Sequence, residues 1–314
     1  MELRRFLMLV ALVMVIMLIA IAWLFPSNDD FGTGNPFWNG ARDIGSLMPL
    51  SPLSSLSDLP SAPSGATLIL IPYLSFTPPE LDALKRFATG GGTLVIADDF
   101  GFGNQVLEYL GLKARFSGQA LLDPLMHYKN KWFPRIYHVK ASPLTSNSDN
   151  MVFNHATGLL NVDAEDALAL SSSLSFLDLN DNGRWDTGEP VGPIPVIAQQ
   201  DLGRGKLVLI TDPSIFINSM DRREGNATLI RNISATAPSG LFLDQSHLPT
   251  SNLQQTKNRL TVIHDFLATP LATVGVVIVA VTATLLAMRY RRKTIGEKSK
   301  RAHNNNYHEH FSTR

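Results

Sequence analysis

Residues 67–99 read Thr67-Leu-Ile-Leu-Ile-Pro-Tyr-Leu-Ser-Phe-Thr-Pro-Pro-Glu-Leu-Asp-Ala-Leu-Lys-Arg-Phe-Ala-Thr-Gly-Gly-Gly-Thr-Leu-Val-Ile-Ala-Asp-Asp99. The run Thr67–Pro72 is continuously apolar and bounded by Ser, Pro and Gly, the pattern of a strand covered on both faces. Thr77-Pro-Pro-Glu80 then starts a helix, because a Thr cap, prolines in the first turn and a glutamate three residues on satisfy its open N–H groups. Leu81, Leu84 and Phe87 follow at helical spacing, and Gly90-Gly91-Gly92 stops the helix. Thr93–Ala97 is a second apolar strand, so residues 67–97 predict a βαβ unit with parallel strands.

The same grammar continues outward. Gln105–Leu112 predicts another helix, Gly205–Asp212 another apolar strand and Glu224–Ile233 a helix after it. Strand–helix pairs on both sides of a less regular middle predict an α/β fold, a layered, mostly parallel sheet, with an inserted segment at about 113–200. Ser46–Ser64 reads as loop and Ser234–Gln255 as a polar connection.

Two charge-free stretches flank this region: Phe6–Phe25, twenty residues, and Leu271–Met288, eighteen. At about 1.5 Å per helical residue each is long enough to cross a bilayer. Arg4 and Arg5 precede the first, and Arg289, Arg291, Arg292 and Lys293 follow the second, so the positive-inside rule puts both termini in the cytoplasm. The expected order is a cytoplasmic N-terminus at 1–5, a span at 6–25, an extracytoplasmic α/β domain at 26–270, a span at 271–288 and a basic cytoplasmic tail at 289–314. Ala20-Ile21-Ala22 also fits a signal-peptidase site, the rival reading of the first stretch. Under either reading the second span keeps the chain at the membrane.

Composition sharpens this. The 314 residues carry no net charge, but 26–270 holds 17 basic against 24 acidic residues, while the tail holds 8 against 2. The tail's charge suits anionic lipid headgroups, and nothing in the chain requires nucleic acid. There is no cysteine, which excludes disulfides, thiolate metal sites and a cysteine nucleophile.

Several stretches together resemble one family. Leu68-Ile-Leu-Ile-Pro72, Glu80-Leu-x-Ala-Leu-x-x-Phe87, Gly90-Gly-Gly-Thr-Leu-Val-Ile-Ala-Asp-Asp99, Gly103-Asn-x-x-Leu-x-x-Leu-Gly-Leu112 and Gly203-x-Gly-Lys-Leu-Val-Leu-Ile-Thr-Asp-Pro-Ser-Ile-Phe-Ile-Asn218 are similar to the domain of unknown function 4350. The resemblance covers about 35–240. It implies a membrane-tethered, noncatalytic branch of the class I glutamine-amidotransferase fold. Amidotransferase chemistry needs a cysteine, so that activity is excluded here.

Asp98 and Asp99 follow one strand and Asp212 follows another; with Asn104, Ser214 and Asn218 they are candidates to line a ligand crevice at the carboxyl ends of the strands. The alternative is that these residues serve as turn and cap groups. A serine hydrolase built on Ser214 lacks a G-x-S-x-G elbow, and Pro213 stands where the strained turn belongs. His127, His138, His155, His247 and His264 show no triad or metal spacing and read as structural. Asn226-Ala-Thr and Asn232-Ile-Ser are glycosylation sequons on the side expected outside.

Asp178-Leu-Asn-Asp-Asn-Gly-Arg-Trp-Asp-Thr-Gly-Glu189 fits the calcium-loop pattern D-x-[DN]-x-[DN]-G-x5-E. Asp178, Asn180 and Asn182 supply side-chain oxygens, Arg184 its backbone carbonyl, Asp186 a direct or water-borne contact and Glu189 the closing carboxylate. Pro190 and Pro193 forbid an exiting helix, so the expectation is a lone structural Ca²⁺ loop rather than a paired EF-hand. The reading as a whole is a membrane-anchored extracytoplasmic binding or accessory module, partnered by a protein or envelope ligand. An envelope glycan or peptide hydrolase using the carboxylate crevice is the alternative.

Overall fold

The computed structural model describes residues 3–311, with side chains through Tyr290. Arg291, Arg292, Lys293 and the rest of the expected basic tail have their side chains outside the described residues. The chain divides into two units, 1–254 and 255–314.

The first unit opens with helix α1 (Leu3–Leu24), none of whose side chains is buried. Its main sheet has eight strands. These are β1 (Ser51–Leu53), β2 (Ala66–Leu70), β3 (Thr93–Ala97), β4 (His138–Val139), β5 (Ala167–Leu170), β6 (Pro195–Leu202), β7 (Gly205–Ile210) and β8 (Gly240–Asp244). Across the sheet they run β1-β8-β2-β3-β7-β6-β5-β4. The pairs from β1 to β7 are parallel, and those from β7 to β4 antiparallel.

The segment read as loop contains β1, and the polar connection contains β8, which sits between β1 and β2. Both readings failed for the same reason. Three residues of Ser-Pro-Leu and five of Gly-Leu-Phe-Leu-Asp are too short to show a period, and only pairing, of β8 with β2 and of β1 with β8, makes strands of them. Within the stretch expected as an insertion, β4, β5 and β6 join the main sheet, while Ala120–Leu122 with Phe176–Asp178, Arg115–Phe116 with Leu159–Leu160 and Arg135–Ile136 with Met151–Val152 form separate ribbons.

Helices α2 (Pro78–Thr89) and α3 (Gly103–Tyr109) cover one face, packing Leu84, Phe87 and Leu107 on Leu68, Leu70, Leu94 and Ile96. On the other, Leu229, Ile230 and Ile233 of α4 (Asn226–Ala235) meet Ile69, Val95, Val208 and Ile210. Alternate residues of each strand thus feed opposite cores, which is why the strands read as unbroken apolar runs. The start of α2 is held by Glu80, whose Oε2 accepts from the Thr77 N–H at 2.7 Å and the Thr77 hydroxyl at 2.6 Å. Its end needs glycine: a Cβ on Gly92 would stand 2.6 Å from the Phe87 ring.

In the second unit lies α6 (Pro270–Phe311); α5 (Asn252–Ala268) crosses the division. Leu3–Leu24 and Pro270–Tyr290 are both long and apolar enough to cross a membrane.

Candidate functional site

Register builds the carboxylate cluster. Ala97 of β3 lies opposite Ile210 of β7, and the Asp98 N–H bonds the Ile210 carbonyl, so Asp98, Asp99 and Asp212 leave the sheet together at its carboxyl end. Tyr73, just past β2, joins them with its hydroxyl 3.5 Å from Asp99 Oδ1.

These carboxylates are sealed. Asp98 is 3% exposed, Asp99 7% and Asp212 0%, and each accepts backbone N–H groups: Asp98 from Gly101 and Gly103, Asp99 from Phe100, Asp212 from Asn154 and Ser214. Burial disfavours their charged forms. It pushes Asp98 up to about 6, raises Asp99, and pushes Asp212 up to about 8 with Asp99's charge adding to it. Tyr73 is also raised, first by burial and then by the charge of Asp99. Burial thus favours the neutral forms of these groups, and their oxygens serve as turn anchors.

The other expected crevice residues are pins. Asn104 makes a two-way bond with the Phe116 backbone, its amide donating to the carbonyl and its oxygen accepting from the N–H, both at 2.9 Å. Asn218 donates to the carbonyls of Asn35 and Phe37 and accepts from the Asp43 N–H. It thereby fastens the loop at 31–43, whose buried Asn35 ties its own turns together.

That loop carries Trp38 to the mouth of a cavity of about 510 Å³, which sequence reasoning did not anticipate. Tyr128, Phe133, Asn154, His155, Lys129 and Arg223 are among its lining residues. Asn154 is also the residue whose N–H reaches Asp212. His155 adopts φ 56°, rare for a residue with a Cβ, and stacks on Trp132 at 5.1 Å between ring centroids. Desolvation lowers its pKa. The only sequence signal was a pair of adjacent aromatics in a Gly/Asn-rich loop, Phe37-Trp38-Asn39-Gly40.

A second polar group centres on one of the histidines read as structural. His247, 3% exposed, places Nδ1 2.6 Å from Asp244 Oδ2, Nε2 3.7 Å from Glu80 Oε2 and its ring on Phe76. It joins the end of β8 to the cap of α2. Glu80 itself is held low, chiefly by the Thr77 hydroxyl.

In the expected calcium loop, Asp178 accepts from the N–H groups of Asn182 and Gly183, and Glu189 from those of Leu179 and Asp186. The Asp186 carboxylate takes the amides of Asn180 and Asn182, bonds that hold its pKa low. The Asn182 oxygen accepts from Arg184 N–H, and the Lys131 ammonium bonds the Gly183 carbonyl. Among the described residues no three His, Asp or Glu side chains converge as a metal-binding group.

The sequons differ. Asn226 is 0% exposed and exchanges bonds with Val152, so the folded chain closes it to a transferase. Asn232 is half-buried and donates to the Leu144 and Ser146 carbonyls.

The model of the domain of unknown function DUF4350 matches residues 35–233; the chain belongs to this family. No curated protein matches it. Among solved structures it is similar to a β-galactosidase from Bacillus circulans sp. alkalophilus, with 12% identity over 55% of this chain and 22% of that one at a TM-score of 0.34. A cytoplasmic protein from Salmonella typhimurium LT2 shows 13% identity over 63% and 79% at 0.38. A β-galactosidase from Rahnella sp. R3 shows 12% over 54% and 22% at 0.34. The chain thus spans under a quarter of either galactosidase, and likenesses this distant specify neither activity nor ligand.

Proposed function

We propose that this chain is a membrane-anchored extracytoplasmic binding module, an accessory component of a membrane assembly, with an amidotransferase-like fold and no amidotransferase chemistry. The supporting observation is the sealed carboxylate cluster: the acidic groups best placed for chemistry spend their oxygens on backbone N–H groups. The apolar helices α1 and α6 supply the anchors. Arg4, Arg5 and the basic run from Arg289 put both termini in the cytoplasm, leaving 26–270 outside.

A structural Ca²⁺ belongs to this reading, held by Asp178, Asn180, Asn182, Arg184, Asp186 and Glu189. Its support is the ligand spacing together with the turning of Asp178 and Glu189 into one loop. On binding, Asp186 would exchange its two amide bonds for the ion.

The competing reading, a hydrolase of envelope glycan or peptide, draws on the raised pKa values of Asp98, Asp99 and Asp212. Cross-linking and purification of the tagged full chain from native membranes separates the two. A stoichiometric membrane-protein partner is the expected result. A chain recovered alone, cleaving envelope glycan or peptide with turnover abolished in a folded Asp98→Asn variant, would replace the binding reading with the hydrolase.

A further inference from the structure

We propose that the cavity under Trp38 binds a carboxylated pyranose, a uronate unit of an acidic glycan; this rests on the binding-module reading and names its ligand. Trp38 is 69% exposed on a fixed backbone, with its carbonyl accepting from the Ser219 N–H at 3.1 Å and the neighbouring Phe37 carbonyl from Asn218 at 2.6 Å. An indole presented to water on a pinned loop contributes little to the core and offers a flat apolar face to a ligand.

The charges inside the cavity are of the unexpected sign. The region 26–270 is acidic overall, with 17 basic against 24 acidic residues, yet Lys129 and Arg223 line this cavity. Lys129 lies 5.8 Å from the Tyr128 ring centroid and 5.9 Å from that of Phe133, and Arg223 lies 5.9 Å from Tyr128. Arg223 donates Nε to the Ser219 carbonyl at 2.9 Å and Nη1 to the Tyr128 hydroxyl at 3.5 Å and lies in the field of Asp221, but among the described residues neither cation forms a close ion pair with a carboxylate. Arg135, the third cation near Tyr128, is by contrast paired with Glu224 at 2.7 Å. Two cations outside any close ion pair, beside aromatic faces, match a ligand that is apolar on its ring face and anionic at its edge.

Volume and lining narrow the class. About 510 Å³ admits one or two sugar rings. Asn154, His155 and Ser219 line the cavity and offer donors and acceptors for hydroxyl groups. The non-glycine backbone of His155 at φ 56° is a local conformational cost of the kind that gathers at ligand sites. A pyranose stacks its C–H face on an aromatic ring, and its carboxylate meets the charge of the Arg223 guanidinium with Lys129 as a second charge.

The test is titration of the full chain in detergent with tri-galacturonate, neutral galactotriose and a tri-glutamate peptide, read by calorimetry and tryptophan fluorescence. Expected is saturable binding of tri-galacturonate alone, weakened about tenfold or more in Trp38→Ala and in Arg223→Gln, with melting temperatures close to wild type. Lys129→Gln, on an exposed side chain, gives a second reading of the charge contribution. Equal binding of the neutral and acidic trisaccharides, preference for the peptide, no binding, or full binding by all three variants would each overturn the proposal. If tri-galacturonate fails while the native-membrane partner is still recovered, the ligand assignment falls and the accessory reading stands; loss of both removes both.

Discussion

Asn154 donates its backbone N–H to Asp212 Oδ2 at 2.7 Å, tying the wall of an open cavity to a carboxyl group that is itself 0% exposed. The buried acid therefore anchors that wall without lining the cavity.

Asp212 sits near 8 in the folded chain and an unfolded aspartate near 3.9. Between those values the folded chain keeps a proton that the unfolded chain has released. The stability this contributes is complete below about pH 4 and is lost as pH rises through about 8. Asp98, near 6, adds to the lower part of the same window. Melting temperature should fall from pH 5 to pH 8 and level off above. Asp212→Asn, which cannot accept both N–H groups, should start lower and show a flatter profile. A wild-type curve that rises through this window would mean the cluster is ionised.

Asn218→Ala removes three bonds that hold the 31–43 loop, at 3.2, 2.6 and 2.8 Å. The expected loss is about 1–3 kcal/mol, with faster hydrogen exchange confined to that loop and altered Trp38 fluorescence. Unchanged exchange there would show that the clamp is redundant.

Ser214→Ala should leave fold and biological function nearly intact. Ser214 holds Asp212 Oδ1 chiefly through its backbone N–H, which survives the substitution, while the hydroxyl adds a smaller interaction with that carboxyl. Complementation of a deletion strain is the measurement; loss of function in a folded variant would favour the hydrolase.

Calcium should bind the loop weakly, with Kd on the order of 10⁻⁴–10⁻³ M, because no partner loop or flanking helix stiffens it. The Lys131 ammonium on the Gly183 carbonyl adds a competing positive charge. At ten times Kd the ion should add about 1.4 kcal/mol. Melting curves of the full chain with calcium, magnesium and chelator, repeated for Asp178→Ala and Glu189→Gln, check this. A calcium shift no larger in wild type than in the variants ends the metal assignment.

Reporters fused at Arg314 and after Asp30 should give opposite sidedness. A reporter at Arg314 found outside would invert the orientation and remove any route to glycosylation of Asn232.

How much of this was legible depends on the range of the forces involved. The βαβ unit around Thr67–Ala97, β7 and the two apolar spans are written in the sequence, because a strand covered on both faces, a capped helix and a bilayer-length apolar run each leave a local signature. The five residues of β8 left none, since their strand character comes from pairing with β1 and β2 on either side. The aspartates after β3 and β7 were legible as a cluster, but an acid facing a cleft and one capping a turn look the same in sequence. Only the loops that cover Asp98, Asp99 and Asp212 decide between them. The cavity was least legible of all: Trp38, Tyr128, His155 and Arg223 lie tens of residues apart, and tertiary hydrogen bonds such as those of Asn218 and Ser219 bring the Trp38 loop to the others. Periodicity carries no information about contacts between loops, so the gathering of these residues around one cavity comes from packing alone.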